Sequence, residues 1–350
     1  MRQRLIIPVI LLAMAIVAGC RIDPPLHLRQ SMSVAVKVLW RAEVQPGGVK
    51  PDGMTLYFFR DGTYYGRHVT ADIDSCSVQL EPGKYRLFMI SLTPNEYGGM
   101  TFYNMDDFDN AYVSLNDTWL AWYTPEDGEV LIQNPELMTV GISDEFEITE
   151  DMIREWLKNN PGYYSGDSHV NVMTVVVPVY PRNVVSQLWA TIYSDNADVL
   201  KAVRATISGM ARTFLLTQDR TGDEEGTQIL EDWSLTIDDP ETRVGHLDCR
   251  ITTFGLPRGE MPSPLRNPTL NLATLLVDNA TVDNYKFYVG DKLRLEEPVP
   301  DGYRLLYRLI LGTVEEPAMH PPDVKPGGVE SGLDAVVGDW DAGDSVEVTM

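Results

Sequence analysis

Cysteine is scarce in this sequence of 350 residues, which holds only Cys20, Cys76 and Cys249. Cysteines spread this widely form neither a CxxC pair nor the spacing of a zinc framework, so a cysteine-rich metal fold is excluded. We interpret Cys76 and Cys249 as members of different halves of the chain. A disulfide between them and two separately buried thiols are both compatible with the sequence.

Basic residues are also few: 28 lysines and arginines stand against 51 acidic residues, a formal charge of −23. A chain of this charge repels nucleic acid and anionic lipid headgroups, so we expect neither as a partner. Hydrophobic residues make up 44% of the chain, with 16 tyrosines and 7 tryptophans, which excludes a mainly disordered protein. The length predicts about two domains, each large enough to bury a core.

Catalytic and metal-binding motifs are missing as well. The sequence has no Gly-x-Ser-x-Gly elbow, no His-Glu-x-x-His and no phosphate-binding glycine loop, and its five histidines are scattered singly. Asp106, Asp107 and Asp109 could suggest calcium, but they lack the alternate spacing and the glycine of an EF-hand loop, which favours a solvated acidic loop. We therefore predict no catalytic residues, no metal and no cofactor, and a protein that is not an enzyme.

What the sequence does contain begins at its N-terminus. Arg2 and Arg4 precede an apolar run over residues 5–17, and small residues then lead to Cys20. This pattern is typical of a signal peptide, and the run is too short to span a bilayer comfortably. Because the cysteine directly follows Ala-Gly, the segment resembles the lipobox of bacterial lipoproteins. We predict a signal peptide over 1–19, lipidation of Cys20 and a proline-containing tether over 20–31.

The first strand follows this tether directly. Val34, Val36, Val38 and Trp40 alternate with smaller or polar residues from Ser33 onward, which indicates a half-buried strand. A first strand on a proline-rich leader is the element most easily withdrawn from a sandwich. Its removal would open an apolar groove, so these four side chains are our hypothesis for the site that binds a partner's strand.

Short strands separated by turn residues continue through the rest of the chain. The clearest early signal is a hairpin, in which Met54–Arg60 and Thr63–Tyr65 flank Asp61-Gly62. The one convincing helix runs from Thr149 to Asn159. Further strands are expected at 84–92, 169–180, 184–193, 203–216, 227–238, 247–254, 270–277 and 285–289. This pattern predicts an all-β protein built of β-sandwiches.

The domain organisation follows from the turn-rich and proline-rich segments. We predict an N-terminal β-sandwich domain over 32–165 and a C-terminal β-sandwich domain over 166–311. Residues 312–350 read as a poorly ordered tail rich in Pro, Gly and Asp, which ends in a short alternating strand from Val346. That last strand could be donated to another subunit or could pair within its own domain.

Trp119, Trp122 and Tyr123 form an aromatic group within the looser stretch of residues 94–127. Aromatic pairs in β proteins belong more often to the core than to a binding platform, so we expect Trp119 and Trp122 to be mainly buried. The alternative is that all three side chains are exposed and contact a glycan.

Several segments, taken together, resemble the fimbrillin-like lipoproteins of Bacteroidota-type bacteria. The resemblance rests on the order and spacing of the segments 34–40, 51–59, 80–86, 180–185, 205–210 and 251–256. It implies two tandem transthyretin-like (fimbrillin-type) β-sandwich domains with few short helices, displayed from the outer membrane. It further implies a fimbrial anchor or minor, adhesive subunit that joins other fimbrial-type subunits by strand addition. The alternative function is a surface glycan-binding lipoprotein.

Overall fold

The computed structural model describes residues 32–41, 44, 48–160, 174–262, 267–300 and 302–327, and the backbone of residues 346–347. The predicted signal peptide, Cys20 and the tether over 20–31 lie outside these residues. No helix in the described part of the chain is long and apolar enough to cross a membrane.

In the first half of the chain, the described residues form short strands and one α-helix, α1, over Glu150–Asn159. A short 3-10 helix covers Pro94–Glu96. The strands are β1 (Met32–Val38), β2 (Met54–Arg60), β3 (Thr63–Thr70), β4 (Ser75–Leu80), β5 (Gly83–Ser91), β6 (Met100–Tyr103), β7 (Tyr112–Leu115), β8 (Leu131–Ile132), β9 (Thr139–Ile142), β10 (Phe146–Ile148), β11 (Thr174–Val179) and β12 (Arg182–Asn183).

In the part of the second half that the structure describes, strands continue together with two 3-10 helices, Ala197–Val199 and Pro257–Gly259. Its strands are β13 (Ser186–Ser194), β14 (Leu200–Ala211), β15 (Thr213–Leu215), β16 (Arg220–Thr221), β17 (Glu225–Leu230), β18 (Ser234–Asp239), β19 (Val244–Thr253), β20 (Thr269–Leu276), β21 (Val282–Tyr288), β22 (Arg294–Leu295), β23 (Leu306–Leu311) and β24 (Val346–Glu347).

A first sandwich forms from two sheets with the strand orders β11-β1-β4 and β12-β9-β5-β2-β3, with β10 also paired to β5. The apolar faces of these sheets meet in one core, to which β5 contributes Tyr85, Leu87 and Met89, all fully buried. Helix α1 packs Ile153 against the same core, and its first turn is capped by Thr149 Oγ1, which accepts the Met152 N–H at 3.1 Å. The predicted hairpin and helix are thereby confirmed.

A second sandwich pairs the strand orders β18-β19-β13-β23-β22 and β24-β21-β20-β14-β17-β8. Alternate residues of these strands point inward and form the largest core cluster of the described chain, with Leu188, Ile207 and Leu309 among its fully buried members. The prediction of an all-β sandwich protein is therefore confirmed.

The two halves share strands and a core. β6 and β7 of the first half join β15 and β16 of the second in one four-stranded sheet, and β8 pairs with β17. A third core cluster contains Phe59 and Phe88 from the first half and Phe214 and Phe254 from the second. The two sandwiches are consequently interlocked by hydrogen-bonded strands and by buried aromatic rings.

The strand pairing also bears on the domain boundary that the sequence predicts at residue 165. β11 pairs with β1, and β12 pairs with β9, so residues 174–183 lie in the sheets of the first half. Turn residues indicate where a strand begins, but hydrogen bonds to distant strands decide which sheet it joins. We therefore propose that the halves divide between β12 and β13.

Residues 312–327 correct the expectation of a poorly ordered tail. Ala318 and Met319 are buried, and both donate backbone N–H groups to the carbonyl oxygen of Tyr193. Farther along, Arg243 bridges Asp198 and Asp323 at 2.7 and 2.9 Å. This proline-containing segment has no regular secondary structure, but its backbone is hydrogen-bonded to the second sandwich. Composition alone therefore predicted the disorder of residues 312–327 wrongly.

Candidate functional site

β1 is the central strand of its sheet. Residues 33–38 pair in parallel with β11, and residues 32–37 pair antiparallel with β4. Val34 and Val36 are fully buried, Val38 is 4% exposed, and Trp40 is partly buried with its indole N–H donated to the Ile73 carbonyl at 2.8 Å. The predicted alternation is thus present, and the strand is bonded along both of its sides.

Two consequences follow from that position. Burial of each valine stabilises the sandwich by about 1.5–3 kcal/mol relative to exposure, so β1 is firmly held where it lies. A missing β1 would leave two strands, β11 and β4, with unpaired N–H and C=O groups on either side of an apolar slot. Such a slot matches an incoming strand with the same alternation of apolar residues.

The end of the chain supplies another strand. The backbone of Val346–Glu347 forms β24, which pairs in parallel with β21 at Tyr285 and Lys286. The predicted C-terminal strand therefore adds to a sheet edge of its own chain. This is one of the two roles that the sequence left open for it.

The aromatic group divides into exposed and half-buried members. Trp119 is 78% exposed, which makes the expectation that it belongs to the core wrong. It lies on the long connection between β7 and β8. Trp122 is half-buried, with its ring 5.8 Å from the guanidinium carbon of Arg204 and 5.8 Å from the Tyr123 ring.

Tyr123 belongs to a polar contact between that connection and the second sandwich. Its hydroxyl donates to the Glu129 carboxylate at 2.9 Å and accepts from Asn271 Nδ2 at 3.0 Å. Burial, which disfavours the phenolate, raises the pKa of Tyr123 to about 12. Thr227 Oγ1 also donates to Glu129, at 2.6 Å. The Tyr123 hydroxyl therefore holds the loop against the second sandwich, and of the three aromatic side chains only Trp119 is largely exposed.

A cavity of about 410 Å³ lies beside this contact, between residues 126–130 and the outer ends of β14, β17 and β20. Its ionisable lining is acidic except for Lys286, whose Nζ lies 2.8 Å from Glu126 Oε1. The lining residues described include neither a histidine nor a cysteine, so the cavity offers no imidazole base and no thiol nucleophile. Across the described residues, no group of three or more His, Cys, Asp or Glu side chains could hold a metal ion.

The acidic loop at Asp106, Asp107 and Asp109 has a local structural use. Asp107 accepts the backbone N–H groups of Asp109 and Asn110 and the side-chain N–H of Asn110 at 2.8 Å. The hydrogen bond from the Asn110 side chain is the main reason that the pKa of Asp107 lies below its ordinary value. Phe108 packs in the shared core and so anchors the loop. The guanidinium carbon of Arg86 lies 3.7 Å from the centroid of the Phe108 ring.

Cys76 and Cys249 are free, buried thiols, which decides between the two possibilities that the sequence allows. Burial raises the pKa of Cys76 to about 11 and that of Cys249 to about 12, because the thiolate is poorly solvated inside the sandwiches. Both side chains are therefore inert packing groups at neutral pH.

The described residues define an all-β protein of two joined sandwiches, in which β1 is a central strand and one tryptophan, Trp119, is exposed. A model of the family described as Domain of unknown function (DUF5119) matches residues 26–231, more than half of the chain, and the protein belongs to that family. No match is found among curated proteins.

Several solved structures are similar to this chain. A candidate adhesin from Bacteroides ovatus ATCC 8483 superposes with a TM-score of 0.54 and 13% identity, over 85% of this chain and 94% of that one. The fimbrial anchor protein Mfa2 from Porphyromonas gingivalis gives a TM-score of 0.41 and 11% identity, over 80% and 95% of the two chains. The tip fimbrial protein Mfa3 from the same organism gives 0.36 and 12%, over 78% and 85%. The predicted resemblance to fimbrillin-like proteins is confirmed at the level of the fold.

Proposed function

We propose that this protein is a lipid-anchored surface protein of fimbrial anchor or minor-subunit type, which joins partner subunits by β-strand addition. The observation that carries this proposal is the position of β1. The strand directly follows the tether, buries its apolar face completely and has a hydrogen-bonded neighbour on each side. The shared fold with a candidate adhesin supports the same class of function.

The two parts of this proposal place opposite demands on β1. Lipid on Cys20 would hold the chain on the outer membrane, and cutting after Arg41 would release both the lipid and β1. An anchor therefore keeps β1 in place and offers its partners an open sheet edge, whereas a stalk subunit loses β1 and accepts a partner's strand in the vacated slot. We favour the anchor.

Strand exchange tests the partner mechanism. The folded protein is incubated with peptides copying residues 33–40 and 344–350, before and after cleavage at Arg41, and complexes are detected by mass spectrometry. An anchor that keeps β1 shows no uptake of the 33–40 peptide before cleavage and binds it afterwards. Polymer ladders that appear only after cleavage would contradict the anchor role and make the protein a stalk subunit.

Membrane attachment is tested separately with Cys20→Ala. We expect the variant to stay uncut or to move from the membrane to the aqueous fraction in detergent partitioning. A Cys20→Ala protein that partitions like the natural chain would remove lipid anchoring from the proposal and leave strand addition standing.

A second candidate function, glycan binding, is favoured by the exposure of Trp119. An open indole ring can stack on the apolar face of a sugar. Retention of the natural protein and of Trp119→Ala on a panel of immobilised polysaccharides tests it. Glycan binding predicts that retention is lost in the variant while the melting midpoint stays unchanged.

A further inference from the structure

Three arginines and a tryptophan line up across four neighbouring strands of the second sandwich. Trp189 on β13 lies opposite Arg250 on β19 and opposite Arg308 on β23, and Arg308 lies opposite Arg294 on β22. Directly opposed residues share one face of a sheet, so these side chains form a continuous row, here called the arginine rung. The row faces away from the core, because Leu188 and Ala190 on either side of Trp189 are buried.

The arginine rung is held in position by its own members. The Arg250 guanidinium carbon lies 4.1 Å from the centroid of the Trp189 ring, and that of Arg308 lies 5.8 Å from it. The Trp189 indole N–H donates to Gln187 Oε1 at 2.8 Å, which fixes the ring. A guanidinium stacked on an indole keeps its N–H donors available at its edge, so binding costs less side-chain entropy than with a freely moving arginine.

The charges of the arginine rung are only weakly compensated. Within the described residues, Arg250 forms no ion pair, and Arg308 forms one long ion pair, with its Nε 3.6 Å from Glu296 Oε2. Arg294 donates to the backbone oxygen of Leu293 at 2.8 Å.

Two acidic residues near the arginine rung, Asp238 and Asp248, are engaged with other groups. His246 lies between Asp238 and Asp248, at 2.7 and 3.2 Å, and Asp248 also accepts the Thr191 hydroxyl. Three arginines, with Glu296 as the one ion-pair partner among the described residues, thus lie together on a protein whose formal charge is −23.

We propose that the arginine rung is a docking site for a carboxylate-rich polypeptide segment of another subunit. Charge complementarity selects an anionic partner, and arginine edges bind carboxylates through paired hydrogen bonds. Tryptophan and arginine are also the residues that dominate binding energy in protein interfaces. Ile310, one alternation along β23 from Arg308, is 46% exposed and adds apolar surface.

A polypeptide fits this face better than an acidic polysaccharide does. Trp189 is half-buried, and Arg250 lies over its ring, so the indole face that a sugar would stack on is already covered. An extended peptide needs no such stacking, because its carboxylates can reach the guanidinium edges while its backbone lies flat over the sheet.

The test uses the purified full-length chain and two probes, a ten-residue oligoglutamate peptide and polygalacturonate of matched charge. We expect the oligoglutamate to bind, with an affinity that weakens as salt is raised, and Arg250→Gln/Arg308→Gln to lower that affinity by about tenfold or more. The matched control is Arg154→Gln/Arg220→Gln, which removes the same charge from exposed arginines away from the arginine rung and should bind as the natural chain does. Melting midpoints of all three proteins show whether the variants are folded.

Every other result counts against the proposal. No oligoglutamate binding by the natural chain would show that the arginine rung is not a docking site. An equal loss in both double variants would show that binding follows overall charge and not the arginine rung. Binding of polygalacturonate without oligoglutamate would replace the polypeptide by a polysaccharide. If the double variant is unfolded, Arg250→Lys alone is measured, and unchanged affinity there would contradict the need for a paired guanidinium contact.

Discussion

Trp119 and Phe88 differ in what the removal of their rings should do. Trp119 is 78% exposed, whereas Phe88 is fully buried in the core that the two halves share. We therefore expect Trp119→Ala to change the free energy of unfolding by less than about 0.5 kcal/mol. Phe88→Ala, the matched loss of a buried ring, should cost about 3–5 kcal/mol. Urea unfolding of both variants measures this, and a large loss for Trp119→Ala would mean that the loop covers the ring in solution.

The two buried thiols give a second prediction for single residues. In a Cys20→Ala background at pH 8, Cys76 and Cys249 should resist iodoacetamide in the folded protein and react fully in urea, because burial raises both pKa values to about 11 and 12. The folded chain holds these protons more tightly than the unfolded chain, whose thiols titrate near 9. The corresponding stabilisation is thus complete below pH 9 and is lost as the pH rises toward 12. Rapid labelling of the folded chain at pH 8 would contradict this.

Among the elements, β1 offers a matched pair of positions. Val36 is fully buried, and the adjacent Lys37 is exposed on the other face. Val36→Asn places an amide in an apolar core without a partner and should lower the free energy of unfolding by more than about 3 kcal/mol. Lys37→Asn should change it by less than about 0.5 kcal/mol. Equal effects in urea unfolding would mean that β1 does not occupy its slot in solution.

Local sequence patterns predict single strands and the helix, but they do not predict how the strands pair. The alternation of β1, the Asp61-Gly62 hairpin and the Thr149 cap of α1 are local signals, and each predicted its element correctly. The parallel pairing of β1 with β11 and the exchange of strands between the halves depend on contacts between distant segments. No pattern within one segment encodes them.

The candidate sites likewise differ in how much of each the sequence alone predicts. The apolar face of β1 was readable from its period of two, but the exposure of Trp119 depends on which segments cover the β7–β8 connection. The arginine rung was not readable at all, because Arg250, Trp189, Arg308 and Arg294 become neighbours only through the registers of four strands.

At the scale of the whole molecule, the shared sheet and shared aromatic core predict one cooperative unfolding transition. Phe214→Ala removes a fully buried ring from that core and should destabilise both halves by about 3–5 kcal/mol. Hydrogen exchange should then accelerate in β5 of the first half and in β19 of the second. Two separate transitions, or acceleration in β19 alone, would show that the halves fold independently.

The parallel pairing of β1 with β11 has a consequence for folding during synthesis. Ser33 meets Thr174, so the first sheet joins segments about 140 residues apart, and its closure is slow compared with that of a hairpin. While the chain is synthesised N-terminus first, β1 leaves the ribosome long before β11 does. The slot for β1 therefore closes only after about half of the chain has been made, and until then β1 lacks the strand on one of its two sides.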